Sequence, residues 1–312
     1  MNRLFLFLLV SSATLFLTSC AEQKPEAEAA TAKNITEIVT ETERFSSLLA
    51  ALERTGLTAT IAGGEYTVFA PNNAAFAAFL NGTSLEDVDV DVLTQVLLNH
   101  VVAGTVKSTD LSNGYAATLA EEATTKNKIS LLVNIDDGVK LNNAVSVIAA
   151  DIAADNGIIH EVDAIIAIPN VVTLALANSE FTSLVAALTR EGLKANFVEV
   201  LSGTGPFTVF APTNAAFQAL LDSNPDWKTL ADVDVATLEA VLKYHVVAGA
   251  NVLSSTLTDG QVVKSFQGAD FTINTTDGAT VTDGKGNVVN IVVTDVQGSN
   301  GIVHAIDGVI LP

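Results

Sequence analysis

The spacing of polar and apolar positions changes as each half of the chain proceeds. From Ile35 to Leu52 the apolar residues Ile35, Ile38, Val39, Phe45, Leu48, Leu49 and Leu52 recur mostly every three or four positions. That spacing predicts a helix, with Gly56 placed to stop it. Tyr66-Thr-Val-Phe-Ala70 is short, β-branched and aromatic, so it predicts a strand; Pro71 ends it, having no N–H to give to a ladder. Asn72 then precedes Asn-Ala-Ala-Phe, where its side chain can cap the free N–H groups of another helix. A further helical stretch, Asp89 to Val101, carries Val92, Val96, Leu97 and His100 on neighbouring faces and is expected to exit at Gly104 with positive φ. Beyond it the period falls to two, in Ser130 to Ile135, the turn Asp136-Asp-Gly138, Val139 to Leu141, and later Ile158 to Ile168.

The same succession then recurs. Thr67 to Phe76 and Thr208 to Phe217 agree at nine of ten positions, and the one difference, Asn72 against Thr213, keeps a capping side chain. Phe45, Ser47, Leu48, Ala51, Leu52, Gly56 and Leu57 recur as Phe181, Ser183, Leu184, Ala187, Leu188, Gly192 and Leu193. His100 to Gly104 recurs as His245 to Gly249, the helix of Asp89 to Val101 as Asp234 to Val246, and Asn156 to Asp163 as Asn300 to Asp307. The offset drifts between 136 and 145, which marks loop insertions between fixed elements. A period of about 140 residues is domain-sized and too long for a solenoid unit. Each copy is therefore expected to be a self-sufficient α+β domain, with helices grouped in its first half and antiparallel strands in its second. The join falls near Pro169-Asn170, placing the domains at 34–169 and 170–312 with almost no linker, so that they touch.

The first residues belong to neither copy. A basic head, Met1-Asn-Arg3, and an apolar run from Leu4 to Leu17 are too short to span a bilayer and predict a signal peptide over 1–19. Leu17-Thr18-Ser19-Cys20 resembles a bacterial lipobox, which implies lipidation of Cys20, the chain's one cysteine. Residues 20–33 then read as a flexible stalk, and the expected location is an exported, membrane-anchored lipoprotein facing the periplasm or the cell surface. With that thiol consumed, both domains must stand on core packing without disulfides, which their size permits.

Charge narrows the partners. The chain carries 15 basic and 35 acidic residues, a net −20, or −21 once Arg3 leaves with the signal peptide. Such a surface repels nucleic acid and anionic head groups, and no Lys/Arg cluster offers a local exception. The membrane is therefore met only through the N-terminal lipid. The expected partner is a protein or glycan component of a matrix, with self-association a further possibility.

Catalytic and metal signatures are missing from the sequence. All four histidines, His100, His160, His245 and His304, sit in duplicated blocks, but His160 with Asp163 and His304 with Asp307 are three apart on strands and point to opposite faces. Buried histidines bonded to backbone are the simpler reading, so His100, His160 and His304 are assigned to a structural polar core. No Gly-x-Ser-x-Gly elbow occurs, and no pair of copies preserves a serine near a histidine in a triad-like context. Asp283-Gly-Lys-Gly-Asn287 has the flavour of a calcium loop, but Lys285 stands where a ligand belongs, so it reads as a hairpin turn. No catalytic residue, metal or cofactor is expected, and the protein is read as not an enzyme.

Thr67-Val-Phe-Ala-Pro71 with Ala75-Phe76, the pair Tyr244-His245, and Asn300-Gly-Ile-Val-His304-Ala-Ile-Asp307 before Leu311-Pro312 resemble the conserved blocks of fasciclin-like domains. The resemblance covers both copies. It implies a wedge of mainly antiparallel β-sheets flanked by helices, and an extracellular adhesion or matrix-interaction role. It also singles out Tyr244 and His245 for ligand contact. The first copy departs from the pattern with Asn99-His100, and it is expected to be the weaker binder for want of the aromatic ring. Two alternatives stay open: a glycan or small-molecule carrier using an apolar pocket, and an enzyme with an unfamiliar site.

Overall fold

A computed structural model describes residues 33–312. The expected signal peptide, the lipidation site Cys20 and all of the stalk but Lys33 lie outside the described residues.

Domain 1 opens with α1 (Ile35–Glu41), α2 (Ser46–Thr55) and α3 (Thr58–Ala62), then β1 (Tyr66–Pro71), α4 (Asn73–Leu80) and α5 (Val90–Leu98). Six strands follow: β2 (Val101–Ala103), β3 (Gly114–Glu121), β4 (Lys128–Asn134), β5 (Lys140–Leu141), β6 (Val145–Ala154) and β7 (Gly157–Val162). Domain 2 repeats the order with α6 (Val171–Ala177), α7 (Thr182–Leu188), α8 (Phe197–Leu201), β8 (Phe207–Pro212), α9 (Asn214–Asp222) and α10 (Val235–Tyr244). It ends with β9 (Val246–Ala248), β10 (Gln261–Lys264), β11 (Asp270–Asn274), β12 (Thr280–Thr282), β13 (Val288–Gly298) and β14 (Gly301–Ile306). The class is α+β, with all neighbouring strands antiparallel except β1 with β7 and β8 with β14. In domain 1 the strands close into a barrel through the single pair Val102–Thr118. In domain 2 the seven-stranded sheet stays open between β9 and β10.

Four expectations need correction. The helix of Ile35 to Leu52 is broken at Thr42, whose backbone turns extended before a short 3-10 turn at Glu43–Phe45. The break swings Phe45 into the core; in domain 2 the equivalent bend at Asn178 is 101°. The helix of Asp89 to Val101 stops at Leu98, and its counterpart stops at Tyr244 instead of Val246, because the next residues leave to pair with β1 and β8. Gly104 and Gly249 do have positive φ, but at the ends of β2 and β9, not at a helix exit. The strand expected over Ile158 to Ile168 ends at Val162.

Each domain buries two apolar layers. On β1, Val68 and Ala70 face the helices with Phe45, Leu48, Phe76 and Leu97, while Phe69 faces the sheet interior with Leu131, Val133 and Val162. A strand packed on both sides must be apolar at successive positions, which accounts for the unbroken Val-Phe-Ala run in both copies.

Candidate interaction site

The duplicated residues prove to be engaged in holding the fold. The Thr67 hydroxyl donates to the Gly104 carbonyl and accepts the Val106 N–H, each at 2.8 Å, and Thr208 does the same with Ala250 and Val252. Asn72 and Thr213 cap α4 and α9. Asn156 accepts the Ile35 N–H at 2.8 Å and donates to the carbonyls of Ile61 and Gly64. Asn300 repeats this with Val171, Leu201 and Gly203. The side chain thus ties the start of each domain to the hairpin that ends it. Gly157 and Gly301 follow because a Cβ there would lie 1.9 Å from the Tyr66 carbonyl oxygen and 2.2 Å from that of Phe207.

All four histidines are buried and bonded at both ring nitrogens. His100 Nδ1–H donates to the Val96 carbonyl at 2.7 Å and Nε2 accepts the Ile166 N–H at 2.9 Å. His245 does the same with Val241 and Ile310. His160 and His304 use the other tautomer: Nδ1 accepts from the backbone of Asp151 and Asp295, and Nε2–H donates to Val106 and Val252. An acceptor nitrogen must be unprotonated, so these sites require neutral imidazole. Burial accordingly lowers the pKa of His100 and His245 to about 4, and lowers that of His304.

The structure also gathers a cluster that the sequence did not reveal. The hydroxyl and N–H of Ser108 both bond the carboxylate of Asp151, a positive-φ residue in a bulge of β6, and Asp151 offers its own N–H to His160. Ser254, Asp295 and His304 repeat the arrangement. Connectivity decides its chemistry: serine bonds the carboxylate directly, and the imidazole meets a backbone amide and a carbonyl. A nucleophilic relay needs the imidazole on the serine hydroxyl. These contacts instead clamp the turn at Ser108 and Ser254 onto the bulge. The matching positive φ at Asp151 and Asp295 is not visible in residue spacing.

Tyr244 and His245, singled out for ligand contact, point inward. Tyr244 is 0% exposed, donates its hydroxyl to the Asp270 carbonyl at 2.7 Å and meets Phe271 edge-on at 5.7 Å. The last turn of α10 faces the sheet, so this segment carries core and not surface. Asn99 is equally buried, donating to the carbonyls of Ile166 and Ala167. Its want of a ring therefore removes no exposed contact area. Asp283 accepts from Lys285 N, Asn287 N, Asn287 Nδ2 and Leu311 N within 2.9 Å, making a tight turn. Among the described residues no cluster of three or more His, Asp or Glu side chains could hold a metal ion.

Since the shared residues serve the scaffold, interaction surfaces are to be sought where the domains differ. An apolar cavity of about 40 Å³ lies between α6, α7, α8 and β8, with His245 in its wall; its counterpart in domain 1 is about 10 Å³. Ile35 and Val39 fill the domain 1 site where Val171 and Ala175 leave space. A second difference is a groove of about 690 Å³ lined by Trp227, Pro225, Leu220, Lys285 and Pro312. The segment from Asp222 to Leu230 that carries Trp227 is longer than the matching one in domain 1, Leu80 to Leu85.

The third difference is the outer face of the sheet. Val262, Thr272, Thr282 and Val288 stand opposite one another across β10 to β13, and Asn274, Thr280 and Asn290 form the next row. Asn274 Nδ2 bonds the hydroxyls of Thr280 and Thr282, which orders the rows. Val262, Val288 and, further along β13, Val292 are 65%, 64% and 52% exposed. The only charges in these rows are the paired Lys264 and Asp270 at one corner, with Asp307 bonded to Asn290 at the rim. The matching face of domain 1, with Tyr115, Ser130 and Leu132, is covered by domain 2: Asn178 donates to the Tyr115 hydroxyl at 2.9 Å and Gln297 N–H to the Ser130 hydroxyl at 2.9 Å.

Comparison with known proteins fits this architecture. The Fasciclin domain family profile matches residues 43–169 and 179–312. An uncharacterized protein of Synechocystis sp., sll1735, is 38% identical over 143 residues, covering 46% of this chain and 98% of that protein. Human periostin is 29% identical over 257 residues, covering 80% of this chain and 28% of periostin. Among solved structures, a FAS1 domain pair from the insect cell adhesion molecule Fasciclin I aligns with a TM-score of 0.51 at 17% identity, covering 86% of this chain and 97% of that one. The chain belongs to the fasciclin domain family, which it carries as two tandem copies.

Proposed function

We propose that the protein is a non-catalytic adhesion or matrix-interaction module, held at the envelope by a lipid on Cys20, and that it meets its partner through the outer sheet face of domain 2. The observation that carries this reading is the contrast between the two faces. In a chain of net −20, the domain 2 face presents valine, threonine and asparagine to solvent, while its counterpart is packed against another domain. Charge-poor surface with exposed aliphatic side chains is what an interface core needs. Fasciclin domains occur in periostin and the ig-h3 protein, which supports a protein or glycan matrix component as the partner. The test is a matrix-protein and glycan array probed with the protein and with Val288→Glu, with and without Ca²⁺. Signals lost in the variant support the face, and equal signals remove it.

A second reading, glycan binding, is favoured by the groove at Trp227. The ring is half-buried, and among the described residues its indole N–H has no hydrogen-bond partner. A pyranose could stack on it. Trp227 is the one tryptophan in the chain, so its fluorescence reports occupancy directly. A titration with oligosaccharides that leaves emission unchanged would remove this reading. The carrier alternative through an enclosed apolar pocket loses ground, since the cavity of about 40 Å³ is far below the roughly 300 Å³ of ligand sites.

A further inference from the structure

We infer that the cleft between the two domains is a saccharide site, taking one or two rings of a neutral pyranoside. The site shares no residue with the groove at Trp227 or with the exposed rows of the domain 2 face. The cleft holds about 480 Å³, within the roughly 300 to 1,000 Å³ of ligand sites, and it lies at a domain boundary, where such sites concentrate. One wall is the Asp136 turn with the start of β3 and the end of β4. The other is the turn from Asn178 to Glu180, between α6 and α7, with Val293 and Thr294 of β13.

Bonds between the domains hold the walls in place. Asn178 Nδ2 donates to the Tyr115 hydroxyl at 2.9 Å, and Asn143 Nδ2 donates to the Ala177 carbonyl. Within its own wall, Asn113 gives Nδ2 to one oxygen of Asp136 at 2.7 Å, and Asn134 Oδ1 accepts the Asp136 N–H at 2.9 Å. A ligand therefore meets polar groups that are already ordered, which lowers the entropy lost on binding. In domain 2 the matching turn has Thr276 where Asp136 stands, so the site follows the divergence of the two copies.

The bonding capacity left over selects the ligand. Among the described residues, the second oxygen of Asp136 and Asn143 Oδ1 remain able to accept, while Asn134 Nδ2 and the Tyr115 O–H remain able to donate. Burial pushes the Tyr115 pKa up, which keeps that proton on its oxygen. A sugar hydroxyl both donates and accepts, so adjacent hydroxyls on one ring satisfy the acceptors and the donors together. An ammonium group offers donors alone and would leave Asn134 and Tyr115 unanswered. No Lys or Arg among the described residues lines the cleft, so a uronate or phosphate would meet Asp136 and Glu180 without a counter-charge. Leu132 and Val293 supply an apolar patch for the C–H face of the ring.

The test is NMR of the protein labelled on its three tyrosine rings, Tyr66, Tyr115 and Tyr244, titrated with cellobiose, maltose, lactose and mannobiose. A site this open is expected to bind on the order of 10⁻³ M, so the titration runs to about 50 mM. Digalacturonate and putrescine are the anionic and cationic comparisons, and Trp227 emission is followed in parallel. The expected result is a saturable shift of the Tyr115 signal with at least one neutral disaccharide, with Tyr66, Tyr244 and Trp227 emission unmoved. Asp136→Asn, which keeps the oxygen held by Asn113, should weaken binding about tenfold, and Glu180→Ala on the opposite wall about threefold. Asp137→Asn removes the same charge one residue away, outside the lining, and should change nothing. No Tyr115 shift with any neutral sugar overturns the inference, as does a stronger response to digalacturonate or putrescine. Binding unaffected by both Asp136→Asn and Glu180→Ala overturns it too. A change in Trp227 emission with Tyr115 unmoved places the sugar in the other groove and sinks the cleft alone.

Discussion

On β4 of domain 1, five successive residues from Ile129 to Val133 are buried, whereas on β11 of domain 2 burial alternates, with Phe271 and Ile273 inside and Thr272 and Asn274 half-exposed. The two strands occupy the same place in the same sheet. What separates them is a neighbour: domain 2 lies over the outer face of β4, and among the described residues nothing lies over β11. The difference extends to the helical side. Domain 1 packs Ile35 and Val39 where domain 2 has Val171 and Ala175, and it alone carries the ion pair of Arg44 with Glu161, at 2.7 Å, in place of Glu180 and Ala305. Duplication thus kept the staples and clamps identical, and divergence fell on faces and fillers.

The comparison can be broken first at its shared parts. Asn300→Ala should orphan one N–H and two carbonyls and cost about 4 kcal/mol, with Asn156→Ala matching it in domain 1. Denaturant melts of the two variants measure this, and a cost under about 1 kcal/mol in either would show that the staple is not equivalent. The next largest effect is acid. His100 and His245 hold folded pKa values of about 4 against 6.5 when unfolded, so the unfolded chain binds more protons between those limits. Stability is fully present above pH 6.5 and falls as pH drops toward 4, by up to about 3 kcal/mol for each site. Imidazole signals from NMR should show both rings neutral down to about pH 4, and titration near 6.5 in the folded protein would contradict their burial.

Smaller effects sharpen the differences. Val39→Ala in domain 1 should cost about 2 kcal/mol, while the pair Val171→Ile and Ala175→Val should fill the domain 2 cavity and add about 1 kcal/mol. Thermal melts decide it; destabilisation by the filling pair would mean that domain 2 packs differently around its gap. The least effect is expected for Glu161→Ala, which copies Ala305. Arg44 is half-exposed, so the loss should be about 1 kcal/mol or less and should shrink further in high salt.

Much of the skeleton was legible in the residues. The doubled Thr-Val-Phe-Ala-Pro run, the capping Asn72 and Thr213, and the Asp136 to Gly138 turn each act locally, through β-branching, a missing N–H or a side chain that reaches its own backbone. The contrast between Ile129-Ser-Leu-Leu-Val133 and Phe271-Thr-Ile-Asn274 was not legible: Ser130 to Ile135 reads as period two, and it is the cover of domain 2 that buries both faces of β4. The inward aim of Tyr244 was not legible either, because helical spacing places it beside the core residues Val241 and Leu242 without saying how far α10 continues. Nor were the bonds from Ser108 to Asp151 or from Asn156 to Ile35, whose partners are 43 and 121 residues apart.

The amino-acid sequence alone determined that there are two domains, that each is helices followed by mostly antiparallel strands, and that the chain carries a net charge of −20. Short-range sterics, hydrogen-bonding side chains and summed charge suffice for these, since none depends on which distant segments meet. Only the tertiary structure decided which histidines face which carbonyls, that the Tyr-His segment is interior, and that one sheet face is covered while its twin is open. Those outcomes depend on long-range packing, where a residue's exposure is set by whatever else comes to lie against it.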